Sequence, residues 1–193
     1  FDADFDLDVF ASSRDSQARV YRNNLTAGAW PADPFTDVTQ TALLDTGAQL
    51  TGTNHYESEY ADLDGDGDFD VWAMNYDGAS GNVDRVLRNN GDMTFTKTTS
   101  WIQGDPDEEE NEVDFLDYDG DGDLDVFLAS FEGTNRIYQG ALAQGLGPAQ
   151  GLYHRTGTTV GGSLASWEEV PTNGNSNTSL DGDCGDVDGD GDV

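Results

Sequence analysis

The sequence predicts an all-β chain built from repeated four-stranded antiparallel units, the architecture of β-propeller blades, with a β-sandwich as the second choice. Three observations support this. An aspartate-rich segment recurs with Asp2, Asp64, Asp119 and Asp188 as equivalent positions, so the chain repeats at intervals of 62, 55 and 69 residues. Short apolar runs of strand length follow the first three copies, and helical periodicity is scarce. Gly, Asn and Asp, the residues of tight turns, punctuate the intervals.

Taken in chain order, "LDVFA" (7–11) is the first buried-strand candidate, followed by "ARVYRNN" (18–24) and "PFTDVTQ" (34–40). The second unit opens on "HYESEYA" (55–61), whose apolar and polar residues alternate as in a half-buried strand. It continues through "FDVWAM" (69–74) and "DRVLRNN" (84–90). In "RNNGDMTFTKT", Asn90-Gly91 separates two alternating segments, a composition suited to a tight hairpin with positive φ angles, so the flanking strands are expected to be antiparallel neighbours. The third unit repeats the order with "NEVDFL" (111–116), "LDVFLA" (124–129), "NRIYQG" (135–140) and "GLYHRTG" (151–157). Segments 25–33, 141–150 and 171–178 read as surface loops. The expected division is a partial first blade over 1–52, a second over 53–107, a third over 108–175, and the start of a truncated fourth over 176–193.

At 193 residues, 35% hydrophobic and 10% aromatic, the chain has the material for a packed core. Its 39 acidic residues against 8 basic ones give a formal charge of −31, which argues against nucleic acid or anionic membrane as a partner and favours cations. The aspartates are concentrated. Asp2, Asp4, Asp6 and Asp8 form one group, Asp62, Asp64, Asp66, Asp68 and Asp70 a second, Asp117, Asp119, Asp121, Asp123 and Asp125 a third, and Asp186, Asp188, Asp190 and Asp192 a fourth. With Cys184 as the sole cysteine, there is no intrachain disulfide and no second thiol for a zinc site. No apolar stretch approaches the roughly 20 residues of a membrane span. The chain begins inside one cluster and stops inside another, as expected of an excerpt from a longer protein.

Alternate carboxylates suit a hard cation such as Ca²⁺, which takes six to eight oxygen ligands. In "DLDGDGDFD", the pattern D-x-D-x-D-G-x-x-D offers side chains from Asp62, Asp64, Asp66 and Asp70, with the Asp68 backbone carbonyl between them. "DYDGDGDLD" offers Asp117, Asp119, Asp121 and Asp125, with the Asp123 carbonyl. Gly67 and Gly122 supply the sharp turn, where a side chain would resist positive φ. The first copy puts Phe5 at that glycine position. An EF-hand would need an acid where Ala73 and Leu128 stand, and a dockerin-like module would continue as a helix where these loops run into strands.

The motifs "DLDGDGDFDVW", "DYDGDGDLDVF" and "DVDGDGDV", with the later "RVYRNN" and "RVLRNNGDMTF", resemble the FG-GAP/VCBS repeat family, calcium-loop β-propeller repeats also found in the integrin α-subunit head. The resemblance implies a blade whose first two strands are joined by the calcium loop, in a secreted or cell-surface propeller used for adhesion or ligand binding. The positions it implies as ligands are those named above. About two and a half blades are present, against 4 to 8 in a closed ring.

His55 and His154 sit in no nucleophile or zinc-protease motif, and the run "DPDEEENE" (105–112) reads as a solvated loop. Trp72 is expected inside, whereas Trp30, Trp101 and Trp167 near loops are candidates for stacking on sugar. The expected function is a non-catalytic, calcium-stabilised binding or scaffold module. Its partner would be a protein, a carbohydrate or copies of itself, without nucleic acid or membrane insertion. The alternatives are part of a secreted polysaccharide-active enzyme and a structural subunit of an extracellular assembly.

Overall fold

The computed structural model describes residues 1–2, 4, 6–13, 16–25, 31–44, 55–75, 84–103, 110–130, 135–142, 145, 153–155, 159–160 and 163–164. The chain is all-β over these residues, with antiparallel pairing throughout its three main sheets except for one short parallel edge.

The first sheet holds β1 (Val9–Ala11), β2 (Arg19–Asn23) and β3 (Phe35–Asp37) in sequence order. The second holds β4 (His55–Ala61), β5 (Asp70–Asn75), β6 (Arg85–Asn89) and β7 (Phe95–Lys97), again in sequence order. The third places β8 (Ile102–Gln103) at one edge, then β12 (Tyr153–Arg155), β11 (Arg136–Gly140), β10 (Asp125–Ser130) and β9 (Glu110–Leu116). A further pair joins β13 (Thr159–Val160) to β14 (Ser163–Leu164).

The second sheet lies between the other two, which explains why β5 reads as an apolar run. Val71 and Ala73 enter a core with Phe10, Val20, Leu87 and Phe95, while Trp72 and Met74 on the opposite face join Val113, Val126, Leu128 and Tyr138. Successive side chains of a strand point to opposite faces, so a sheet covered on both sides needs apolar residues at adjacent positions. Trp72 is completely buried, packs edge-on against Phe115 and Tyr138, and satisfies its Nε1–H on Asp84 Oδ2 at 2.9 Å. On the other face Phe10 packs edge-on against Tyr60 and Phe95, and Tyr60 Oη donates to the Phe10 carbonyl at 2.9 Å. Burial of a large apolar side chain stabilises by about 1.5–3 kcal/mol, so these two cores hold three sheets that would be marginal alone.

Several expectations need correction. The apolar runs begin early: Leu7 precedes its strand by two residues and Phe69 by one, and they are 84% and 62% exposed. The segment 34–40 contributes only β3, because its end turns into a short helix, Thr39–Ala42, where Thr39 Oγ1 accepts the Val20 N–H. The hairpin after β6 is wider than a two-residue turn: Asn89 pairs with Phe95, and Asn90 N–H bonds the Thr94 carbonyl. Gly91 has the positive φ the composition requires, and Met93 adopts one too.

The run 105–112 is not wholly loop, since residues 110–112 open β9. Trp101, a candidate for sugar stacking, is 2% exposed in a 3-10 turn (Thr99–Trp101) and packs in the core between the second and third sheets. Its burial carries the chain across to that third sheet, where β8 pairs with β12 in parallel. A residue pair expected within the second unit thereby becomes the fifth strand of the third sheet.

Candidate metal site in the aspartate loops

Each complete aspartate loop joins the first two strands of a sheet: residues 62–69 connect β4 to β5, and 117–124 connect β9 to β10. The loops share one backbone course. Gly65 and Gly67 have φ of 75° and 96°, and their counterparts Gly120 and Gly122 have 73° and 93°. These left-handed values are open to glycine and resisted by other residues, so the glycines let each loop coil with its amides turned inward.

Those amides hold the carboxylates. Asp66 N–H bonds Asp64 Oδ1 at 3.2 Å, Asp68 N–H bonds Asp66 Oδ1 at 3.0 Å, and Gly67 N–H reaches back to Asp62 Oδ2 at 3.0 Å. The second loop repeats each bond: Asp121 to Asp119 at 3.2 Å, Asp123 to Asp121 at 3.2 Å, and Gly122 to Asp117 Oδ2 at 3.1 Å. The first copy keeps part of this ladder, with Asp4 N–H on Asp2 and Asp6 N–H on Asp4.

The structure brings Asp62, Asp64 and Asp66 together, with one ligand oxygen from each within 4.8 Å of the others. In the second loop the corresponding group is Asp117, Asp119 and Asp125. Asp62 Oδ1 is buried and has no hydrogen-bond partner, so it is an acceptor that a cation could satisfy. All donors are carboxylate oxygens, which suits a hard divalent ion. The clusters can therefore hold a metal ion.

Asp70 and Asp125 are placed differently from the other candidate ligands. Both are buried, and both of their oxygens accept backbone N–H groups. Asp70 takes Leu63 N–H at 3.1 Å and Asn89 N–H at 2.8 Å. Asp125 takes Tyr118 and Gly140, each at 2.7 Å. Each carboxylate clamps its own loop to the third strand of its sheet. Asp8 does the same for β2, accepting Asn23 N–H at 2.9 Å, while its other oxygen accepts the Phe1 α-ammonium.

Burial raises the Asp70 carboxyl to about 7, opposed by the Asn89 N–H and reinforced by the Asp64 charge. Burial likewise raises Asp125 to about 6, opposed by the Gly140 and Tyr118 amides. Asp64 is also raised, by burial first and by Asp66 next. Like charges and lost water both disfavour the ionised form, so each loop bears a cost that a bound cation would relieve.

The other candidates lie as follows. The side chain of Asp68 approaches Gly91, and that of Asp123 lies against Gly140, where an added Cβ would come within 2.7 and 2.1 Å respectively of a carboxylate oxygen. Asp121 is exposed and stands outside the three-residue group of its loop. Asp2, Asp4, Asp6 and Asp8 form no three-ligand group among the described residues, although Asp6 Oδ1 is buried without a partner. Phe5, Trp30, Trp167, Asp186, Asp188, Asp190 and Asp192 lie outside the described residues, as do the side chains of His55 and His154.

The loops and strands share one arrangement in two successive units. Residues 62–128 match the FG-GAP-like repeat. The match opens on the first aspartate of one loop and ends inside β10, just past the other. The match agrees with the resemblance seen in the sequence, and the matched residues lie in an all-β setting. No curated protein matches the chain.

Two features of the described residues were not expected from the sequence. One is the backbone partner of each clamp aspartate: Asn23, Asn89 and Gly140 lie 15, 19 and 15 residues after Asp8, Asp70 and Asp125. The recurrence of "RVYRNN", "RVLRNN" and "RIYQG" was the available signal. The other is a convergence of Glu57 and Glu59 on β4 with Glu112 on β9, across the face between two sheets. Glu59 is raised there by burial and then by Glu57.

Proposed function

We propose that this chain is part of an extracellular β-propeller-type module, in which its sheets are the blades and Ca²⁺ is a structural ion of the aspartate loops. The module acts as a binding or scaffolding surface for a protein, a carbohydrate or further copies of itself, and is not an enzyme. The observation that carries the reading is the twofold recurrence of one loop geometry at one place in the sheet, with carboxylates converging around an unpartnered Asp62 oxygen. FG-GAP-like repeats typically occur in extracellular proteins, which supports a secreted or cell-surface setting. Among the described residues no helix is long and apolar enough to cross a membrane.

Asp62, Asp64 and Asp66 would hold the ion in the first loop, and Asp117, Asp119 and Asp125 in the second. A bound ion would supply charge neutralisation to the carboxylates that join the first two strands of each blade. The chain's own contribution is to orient the carboxylates through the inward amides and to anchor each loop on its third strand through Asp70 or Asp125. Ion binding and blade folding are then one linked equilibrium.

Isothermal titration of chelator-treated protein with CaCl2 tests the reading. Two or more calcium ions should bind per chain, and magnesium, which demands a smaller and more rigid octahedral shell, should compete poorly. An absence of calcium binding at millimolar concentration would remove the reading. Activity on an acidic polysaccharide would instead favour a sugar-active enzyme.

A further inference from the structure

We infer that the two complete aspartate loops differ in calcium affinity, and that the residue set over each loop by the third strand, Arg88 in one and Gln139 in the other, makes the difference. The inference rests on the calcium reading proposed above.

The positions are equivalent by pairing. Leu87 faces Val71 in the second sheet as Tyr138 faces Val126 in the third, so Arg88 and Gln139, one residue on, correspond. Both immediately precede the residue whose N–H is held by the clamp aspartate, Asn89 on Asp70 and Gly140 on Asp125. Gln139 Nε2 donates to Asp119 Oδ2. Asp119 is the counterpart of Asp64, the loop aspartate on which the positive charge of Arg88 acts.

Arg88 is half-buried, its NH2 group bonds Asn90 Oδ1 at 3.1 Å, and its Nε is buried without a hydrogen-bond partner. Anchored to Asn90, the guanidinium carries a positive charge whose field reaches Asp64. Gln139 supplies a neutral amide that orients a ligand oxygen without opposing the ion.

Each loop carries five aspartates at matching positions, with Asp62, Asp64 and Asp66 converging in one and Asp117, Asp119 and Asp125 in the other, and Arg88 against Gln139 adds a difference of one charge between them. A unit charge several ångströms from a dication, in surroundings close to water in dielectric, weakens binding roughly fivefold. The loop over 117–125 therefore fills first and the loop over 62–70 second. Arg22 occupies the same position in the first sheet, one residue before Asn23.

The test is a CaCl2 titration of the chelator-treated, isotopically labelled chain by NMR. It follows the amides of Gly67 and Gly122, which report their own loops through bonds to Asp62 and Asp117. The Gly122 midpoint should lie roughly fivefold below that of Gly67. Arg88→Gln should lower the Gly67 midpoint by about that factor and leave Gly122 in place, whereas Arg88→Lys, which keeps the charge, should leave both. The reciprocal change, Gln139→Arg, should raise the Gly122 midpoint, and it decides the matter if Arg88→Gln does not fold. Equal midpoints in the unaltered chain, or a Gly67 midpoint unmoved in Arg88→Gln, would overturn the inference while leaving calcium binding intact. Silence of both amides at millimolar calcium would overturn the calcium reading and this inference with it.

Discussion

Asp70→Ala removes the acceptor of two buried backbone N–H groups, those of Leu63 and Asn89, and should destabilise the protein even with calcium chelated. Each N–H left without a partner costs about 1–3 kcal/mol, which gives about 2–6 kcal/mol for the pair. Against this stands relief of the buried carboxyl, whose pKa of about 7 records that ionising it in the fold is unfavourable. That relief is of order 1–2 kcal/mol near neutral pH once partial solvent access is allowed for. The middle of these ranges leaves a net loss of about 2–3 kcal/mol, which for a chain of this size lowers the melting midpoint by about 5–10 °C.

The control is Asp66→Ala. Asp66 is exposed and its Oδ1 accepts one loop amide, so the change should cost under about 1 kcal/mol in chelator. It should, however, remove the stabilisation that calcium adds through the first loop. Urea unfolding of both variants, with chelator and with calcium, separates the clamp from the ligand. The reasoning fails if Asp70→Ala in chelator stays within about 0.5 kcal/mol of the unaltered protein, or if Asp66→Ala costs as much.

Two further outcomes are expected. Asp70 and Asp125 keep their protons to about pH 7 and 6 in the metal-free fold but release them near pH 4 when unfolded. Between those limits the folded state binds more protons, so metal-free stability is greatest at low pH and falls as pH rises through 6 to 7. Calcium affinity should rise over the same interval, and chelator unfolding midpoints that increase from pH 5 to 8 would contradict this assignment. Gly140→Ala would set a Cβ 2.1 Å from Asp123 Oδ1 and 2.5 Å from the Leu124 carbonyl, so it should cost about 2 kcal/mol or more by urea unfolding. A neutral effect would mean that the loop does not lie against β11 as described.

Strand positions were legible because burial on two faces leaves a mark on adjacent residues. Val71, Trp72, Ala73 and Met74 form such a run, and the alternation in "HYESEYA" located β4. The loop glycines were legible because positive φ restricts residue choice at Gly67 and Gly122. The fate of Trp101 was not, because a lone tryptophan beside a loop has the same local pattern whether it faces sugar or a core assembled from distant strands. The parallel pairing of β8 with β12 joins residues about fifty apart and leaves no local signal. Alternate spacing placed the aspartates in one loop, but it could not distinguish a carboxylate turned toward an ion from one turned toward an amide. Asp70 meets Asn89 nineteen residues on, and only the fold brings them together.

The most direct measurement is thermal unfolding of the intact chain with excess calcium and with chelator. Calcium at one hundred times its dissociation constant adds about 2.7 kcal/mol per site, so two loops should raise the midpoint by about 10 °C or more. Chelation should reverse the rise. A midpoint unchanged by calcium or chelator would contradict a structural ion in these loops.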